Sequence, residues 1–231
     1  MMDILTHFRK IRYQVLYHLI VNQREKSNSK YADQRQSLLI GKSFTILSNN
    51  CWGGHVYRYF SLPYLTPTIG LYFYPDDYLK FIGDYKKYLA AELTFIPWQE
   101  SKHADSLRER NQTNVPIGKL DDVEIVFLHY KSESEAYEKW NRRVARINWD
   151  HILVKCSKQN GMTDEQVEQY DKLPINNKII FVDKPMPNVK SAVLYYKKRD
   201  IIDGQVCDDI ICFNKYVDLA KWINSSFKGS N

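Results

Sequence analysis

The sequence predicts an α/β domain in three layers, a mostly parallel central sheet with helices on both faces. Short apolar runs alternate with amphipathic stretches from Gly41 onward, the pattern of strand, crossover helix and next strand. Helix-start chemistry falls where that alternation needs it: Pro75 before Asp76 and Asp77, Ser132 three residues before Glu135, and Thr163 three before Gln166. At 231 residues, 44% hydrophobic and 26% charged, the chain has the composition of one large folded domain, or one domain with an appendage.

The elements follow in order. Ile4, Phe8, Ile11, Val15 and Leu19 recur at helical spacing, so residues 1–20 read as an amphipathic helix. Asp3 at its start and Arg9, Lys10 and Arg12 within it break the order of a secretory signal. Two roles fit such a helix: packing on its own core, or peripheral contact with a membrane, basic residues toward the headgroups. Asn22–Gln36 is polar and without period, a tether, which divides the chain into 1–36 and a single α/β domain over 37–231. Strands are expected at Phe44–Leu47, Thr68–Tyr74, Leu93–Ile96, Val123–Leu128, Ile152–Cys156 and Ile179–Val182. Helices are expected at Gly54–Phe60, Pro75–Leu89, from Ser132 to Ile147, after Thr163, and over Lys215–Phe227. Trp98 to Asn114 reads as a long surface loop or irregular helix. Ala192–Tyr196 and Asp209–Phe213 form a terminal strand pair whose antiparallel arrangement would make the sheet mixed.

Charge and cysteine usage narrow the chemistry. The net charge of +6 is spread and interleaved with acids, without a dense basic block or recognised module, which argues against DNA or RNA and leaves a mild preference for anionic partners. The four cysteines, Cys51, Cys156, Cys207 and Cys212, show neither zinc-ligand spacing nor disulfide-scaffold density, so reduced thiols in a cytoplasmic protein are the simplest reading. No stretch reaches the ~18 apolar residues of a membrane span. No motif points to a metal or a cofactor. Asp76-Asp77, Asp121-Asp122 and Asp208-Asp209 read as a helix start and turns, not as an Asp-x-Asp metal motif.

Ligands of open α/β sheets bind beyond the carboxyl ends of the strands, and two such ends carry unusual residues. The first is Ser48-Asn49-Asn50-Cys51-Trp52-Gly53-Gly54. Asn49 and Gly53 flank Cys51 with residues that tolerate left-handed backbone angles, as a nucleophile on a tight turn requires. The helix that follows would lower the Cys51 pKa and make it the first cysteine alkylated at neutral pH. Backbone N–H groups at Gly53 and Gly54 would hold an oxyanion or phosphate. The second end is His129-Tyr130-Lys131-Ser132, where His129 would serve Cys51 as general base. Taken singly, each has a plainer role: Cys51 as a buried residue on a glycine-bearing turn, His129 as a hydrogen-bonded strand terminus. Asp183 is the best-placed third group. On the helix after His129, Ala136, Trp140, Val144 and Ile147 share one face, and Lys139, Arg142, Arg143 and Arg146 a neighbouring stripe. That stripe is a solvated face paired with Glu135 and Glu138, or a clamp for phosphate or carboxylate through Arg142 and Arg143. The candidate site is thus Cys51 and His129 as catalytic pair, with Asn49, Asn50, Trp52, Gly53, Gly54, Lys131, Arg142 and Arg143 binding substrate.

The stretches at Ser48–Gly54, Leu128–Ser132 and Glu135–Trp149, with Pro63, Thr68–Gly70 and Pro116–Gly118, resemble a bacterial family of exopolysaccharide biosynthesis proteins over about Gly41 to Tyr195. The resemblance implies an α/β fold and a cytoplasmic role near capsular or cell-surface polysaccharide assembly. It carries no established mechanism. The order of Cys, His and Arg-rich helix is also similar to a papain-like cysteine peptidase family, although His129-Tyr130 stands where that family has a His-Asp pair. Two functions follow. One is a Cys-His transferase or hydrolase moving an acyl or related group on a glycan or activated sugar. The other is a non-catalytic module holding a nucleotide-sugar or a phosphorylated glycan carrier.

Overall fold

In the computed structural model, which describes residues 19, 23–24, 26–196, 201–210 and 214–228, strands and helices alternate along the chain. The first half runs α1 (Ala32–Gln36), β1 (Thr45–Ser48), α2 (Trp52–Tyr59), α3 (Pro75–Gly83), α4 (Tyr85–Ala90), β2 (Leu93–Ile96), a 3-10 turn (Trp98–Glu100) and α5 (Ala104–Glu109). The second runs β3 (Ile117–Leu120), β4 (Val123–Val126), α6 (Glu133–Val144), β5 (Ile152–Ser157), α7 (Asp164–Lys172), β6 (Lys178–Val182), β7 (Ala192–Leu194), β8 (Ile201–Ile202), β9 (Gln205–Val206) and α8 (Leu219–Ser225).

A four-stranded sheet in the order β1-β5-β6-β7 has every neighbouring pair parallel. Successive side chains point to opposite faces, so the strands feed two core layers. Ile46, Leu153 and Phe181 pack with Trp52, Val56 and Tyr57 of α2 and Trp222 and Ile223 of α8. Leu47, Val154, Cys156 and Ile180 pack on the other side with Tyr78 and Phe81 of α3, Trp140 of α6 and Tyr170 of α7. The chain is therefore mixed α/β with helices on both faces. A second, antiparallel sheet, β2-β3-β4, joins the first through the strap Leu71–Tyr74: Tyr72 bridges Val126, and Phe73 N donates to Asn49 O at 3.0 Å.

Several elements differ from expectation, each for a local reason. Only Tyr72 of the Thr68–Tyr74 run makes a strand bridge. The Pro75–Leu89 helix breaks at Asp84 (φ −144°, ψ 60°), whose carboxylate accepts Lys87 N and caps α4, because a short acidic side chain competes with the helical backbone. β3 is an additional strand whose apolar pattern Gly118 interrupts; a Cβ there would lie 2.5 Å from the Phe127 ring, so the sheet needs glycine. Of the expected terminal strand pair, β7 runs parallel to β6 and the described residues Asp209 and Ile210 lie outside any strand; residues 211–213 fall outside the described ones. The polar Asn22–Gln36 stretch is helical at 26–30 and in α1, where Arg35 donates to Asn28 Oδ1 and Tyr59 O, both at 2.9 Å. The amphipathic helix expected over 1–20 lies outside the described residues, apart from exposed Leu19. Among the described residues no helix is long and apolar enough to cross a membrane.

Candidate functional site

Beyond β1 the chain turns through Asn49 and Asn50 into α2. Asn49 continues the strand pairing with its side chain, donating to Ser157 O at 2.9 Å and accepting Ser157 N at 3.0 Å. Asn50 accepts Trp52 N and Lys155 Nζ, each at 3.1 Å, and donates to Asp209 Oδ2 at 3.0 Å. Asp209 also takes the Ser157 hydroxyl at 2.5 Å and pairs with the Lys155 ammonium. Lys155 is fully buried, 5.4 Å from the Trp52 ring and 5.3 Å from that of Phe181. Burial works against the Asp209 carboxylate, but Lys155, Ser157 and Asn50 outweigh it and hold its pKa below the usual value. Asn49 and Asn50 thus bind other parts of the fold.

Cys51 is the N-cap of α2, and its thiol donates to Leu71 O at 3.7 Å. Burial pushes the thiol up to about 11, with Asp209 adding to the effect and Gly70, Arg58 and Lys155 opposing it. The helix terminus does not outweigh desolvation. Its N–H groups are also engaged: Gly53 N by Ser48 Oγ at 3.4 Å, and Gly54 N by Cys51 O at 3.1 Å. Trp52 is a core residue, edge-on to Phe181 and Trp222.

His129 follows β4, and its backbone N donates to Gly70 O at 2.9 Å. Gly70 has a left-handed φ of +72°, and a Cβ there would stand 3.1 Å from the Tyr130 ring, so glycine allows this close approach. Cys51 and His129 line one cavity of about 220 Å³, together with His55, Arg58, Tyr64 and Ile210. Among the described residues no hydrogen bond joins Cys51 to His129; the two share a wall without touching as acid and base. Burial lowers the pKa of His129, and lowers that of His55 to about 3, where the Arg58 guanidinium contributes further. Arg58 Nη2 stands 3.1 Å from His55 Nδ1. Ile210 is fastened by Arg24, which donates to its carbonyl at 2.6 Å.

The other expected residues are dispersed. Arg143 reaches the wall, donating to Tyr130 OH at 2.5 Å and Ile69 O at 3.3 Å, and lying 5.8 Å from the Tyr64 ring. Arg142 is exposed and paired one turn back with Glu138. Lys131 lines a separate depression with Trp98 and Asn114. Asp183 is held by Lys158 at 2.8 Å. The sequence reading overlooked His55, Arg58, Tyr64 and Ile210. Positions 51, 55 and 58 fall on one helical face, a signal present in the sequence. Tyr64 and Ile210 have no such local signal.

The profile of the Domain of unknown function (DUF1919) family matches residues 20–224, which include every cavity residue named above. The chain belongs to the DUF1919 family. An uncharacterised protein of Haemophilus influenzae is 34% identical over 212 residues, covering 88% of this chain and 94% of that protein.

In this DUF1919 chain a second cluster fastens the loop before α5. Fully buried Asp77 accepts Glu124 N at 2.9 Å and pairs with Lys102 Nζ at 2.5 Å and His103 Nε2 at 2.6 Å. Every partner is internal, and His103 stacks on Tyr74 with ring centroids 3.8 Å apart.

The thiol pKa has a measurable consequence. With Cys51 near 11, about one thiol in ten thousand is ionised at pH 7, against a few per cent for an ordinary exposed cysteine. Iodoacetamide at pH 7.5 is therefore expected to modify exposed Cys207 well before Cys51, followed by peptide mass mapping. Labelling of Cys51 first would show an activated thiolate.

Proposed function

We propose that this chain binds a small phosphate- or carboxylate-bearing sugar in the cavity beside Cys51. The observation that carries this reading is the meeting of His55, Arg58 and His129 around one cavity at the carboxyl end of β1. A guanidinium and two imidazoles supply donors that suit an anion. The volume equals about seven waters, room for one small ring and not for a chain. The likeness of Ser48–Gly54 and Glu135–Trp149 to exopolysaccharide biosynthesis proteins supports reading the anion as a sugar derivative, handled in the cytoplasm.

Calorimetry with glucose 1-phosphate and with glucuronate tests this. Binding is expected with proton uptake, visible as buffer-dependent heat. The sign follows from the empty cavity, where both histidines have lowered pKa values and are neutral at pH 7. An anion favours the charged form of His129, so glucuronate affinity rises as pH falls from 8 to 6, while His55, at about 3, stays neutral across that range. Arg58→Met should weaken binding about tenfold or more, the worth of a hydrogen bond to a charged group. Arg108→Met, at an exposed arginine paired with Asp105, should not change it. Failure of both compounds to bind at millimolar concentration overturns the reading.

A second reading rests on Cys51 and His129 sharing that cavity. In it, the Cys51 sulfur bonds to an acyl carbon as its proton passes to His129, and the leaving oxygen departs with that proton. Cys51→Ser separates the two. It leaves affinity unchanged if the site only binds, and abolishes acyl transfer if the thiol is the nucleophile.

A further inference from the structure

A second cavity, of about 340 Å³, shares two wall residues, Arg58 and Tyr64, with the first. Its remaining wall includes Asn28, Ser61, Leu62 and Pro63. Firm elements build it. Ser61, in the left-handed region at φ 51°, donates its hydroxyl to Asn28 O at 3.4 Å, and Arg35 ties Asn28 to the end of α2. Tyr64 is held edge-on to Tyr57, with ring centroids 6.0 Å apart, and the Arg143 guanidinium lies over its ring.

The compartments differ in chemistry. The first offers His55, His129 and the Cys51 thiol; the second offers an apolar wall of Leu62, Pro63 and Tyr64 beside the amide of Asn28 and the hydroxyl of Ser61. Arg58 stands between them. An occupant of both therefore carries a small polar group at one end and negative charge in the middle. Its other end has an apolar face and hydrogen-bonding edges. We infer that Arg58 and Tyr64 form the joint of a two-compartment site for a nucleoside diphosphate sugar. The sugar lies toward His55 and His129, the diphosphate at Arg58, and the base against Tyr64. A polyprenyl phosphate is the competing occupant, since Leu62, Pro63 and Tyr64 are apolar and Asn28 and Ser61 already bond within the fold; farnesyl phosphate as a probe separates the two. This inference rests on the anion-binding reading above and adds the second compartment to it.

The test compares wild-type affinities for glucose 1-phosphate, UDP-glucose, GDP-mannose, dTDP-glucose and farnesyl phosphate by calorimetry. At least one nucleotide sugar is expected to bind about tenfold tighter than glucose 1-phosphate, the scale of one base–aromatic contact. Tyr64 lines both compartments, so Tyr64→Leu should cost the nucleotide sugar more than glucose 1-phosphate and close most of the gap between them. The wild-type ranking decides the matter even if Tyr64→Leu fails to fold. Nucleotide sugars no tighter than glucose 1-phosphate, or farnesyl phosphate tighter than all of them, would overturn the second compartment and leave the anion site standing. Binding of none of the probes overturns both.

Discussion

Lys155→Met is expected to lower the melting temperature by about 6–20 °C. The variant removes the ammonium but leaves the Asp209 carboxylate sealed in the core with only Ser157 and Asn50 to solvate it. Breaking a buried pair from one side costs about 3–5 kcal/mol, and a chain of this size loses about 2–4 °C per kcal/mol. Calorimetric scans at pH 7 measure it. Lys155→Met with Asp209→Asn should recover about half of the loss, since no unpaired charge remains while the amide keeps bonding Ser157 and Asn50. A shift below about 3 °C for the single variant would mean that Asp209 is not charged in the fold. Asp209 also precedes Ile210, a wall of the cavity, so the single variant should weaken anion binding as well.

Trp52→Ala is expected to cost about 3–5 kcal/mol. The indole is fully buried between Phe181 and Trp222, with centroids 5.8 Å and 5.7 Å away, and Lys155 approaches its ring. Its removal leaves a void against a rigid sheet and deprives a buried ammonium of a cation–π contact. Chemical denaturation reads the loss directly, and Trp52→Phe should restore more than half of it. A Trp52→Ala protein of normal stability with reduced ligand affinity would instead put the indole at the site, as its motif had suggested. The losses at Lys155 and Trp52 should not add, because the two side chains touch.

What could be read without coordinates was local. The Thr163–Gln166 capping box forms as spaced, with both reciprocal bonds. Pro75 opens α3, Ser132 caps α6, and the apolar runs at 45–48, 152–157 and 178–182 are parallel strands. Each depends on a few neighbouring residues whose spacing is written in the chain. The Ser48–Gly54 motif likewise announces a strand-to-helix turn at the rim of the sheet. The role of each residue in that turn is another matter. Asn49 and Asn50 look like ligand-binding residues until Ser157, Lys155 and Asp209 arrive from more than a hundred positions away to occupy them. Cys51 looks activated by its helix until burial raises its pKa. His55 and Arg58 become partners of His129 only because the Gly70 backbone lies close enough to hold it. Periodicity and capping are short-range and survive in sequence. Desolvation and long-range pairing depend on what packs on the far side of a residue, and only the folded chain brings those partners together.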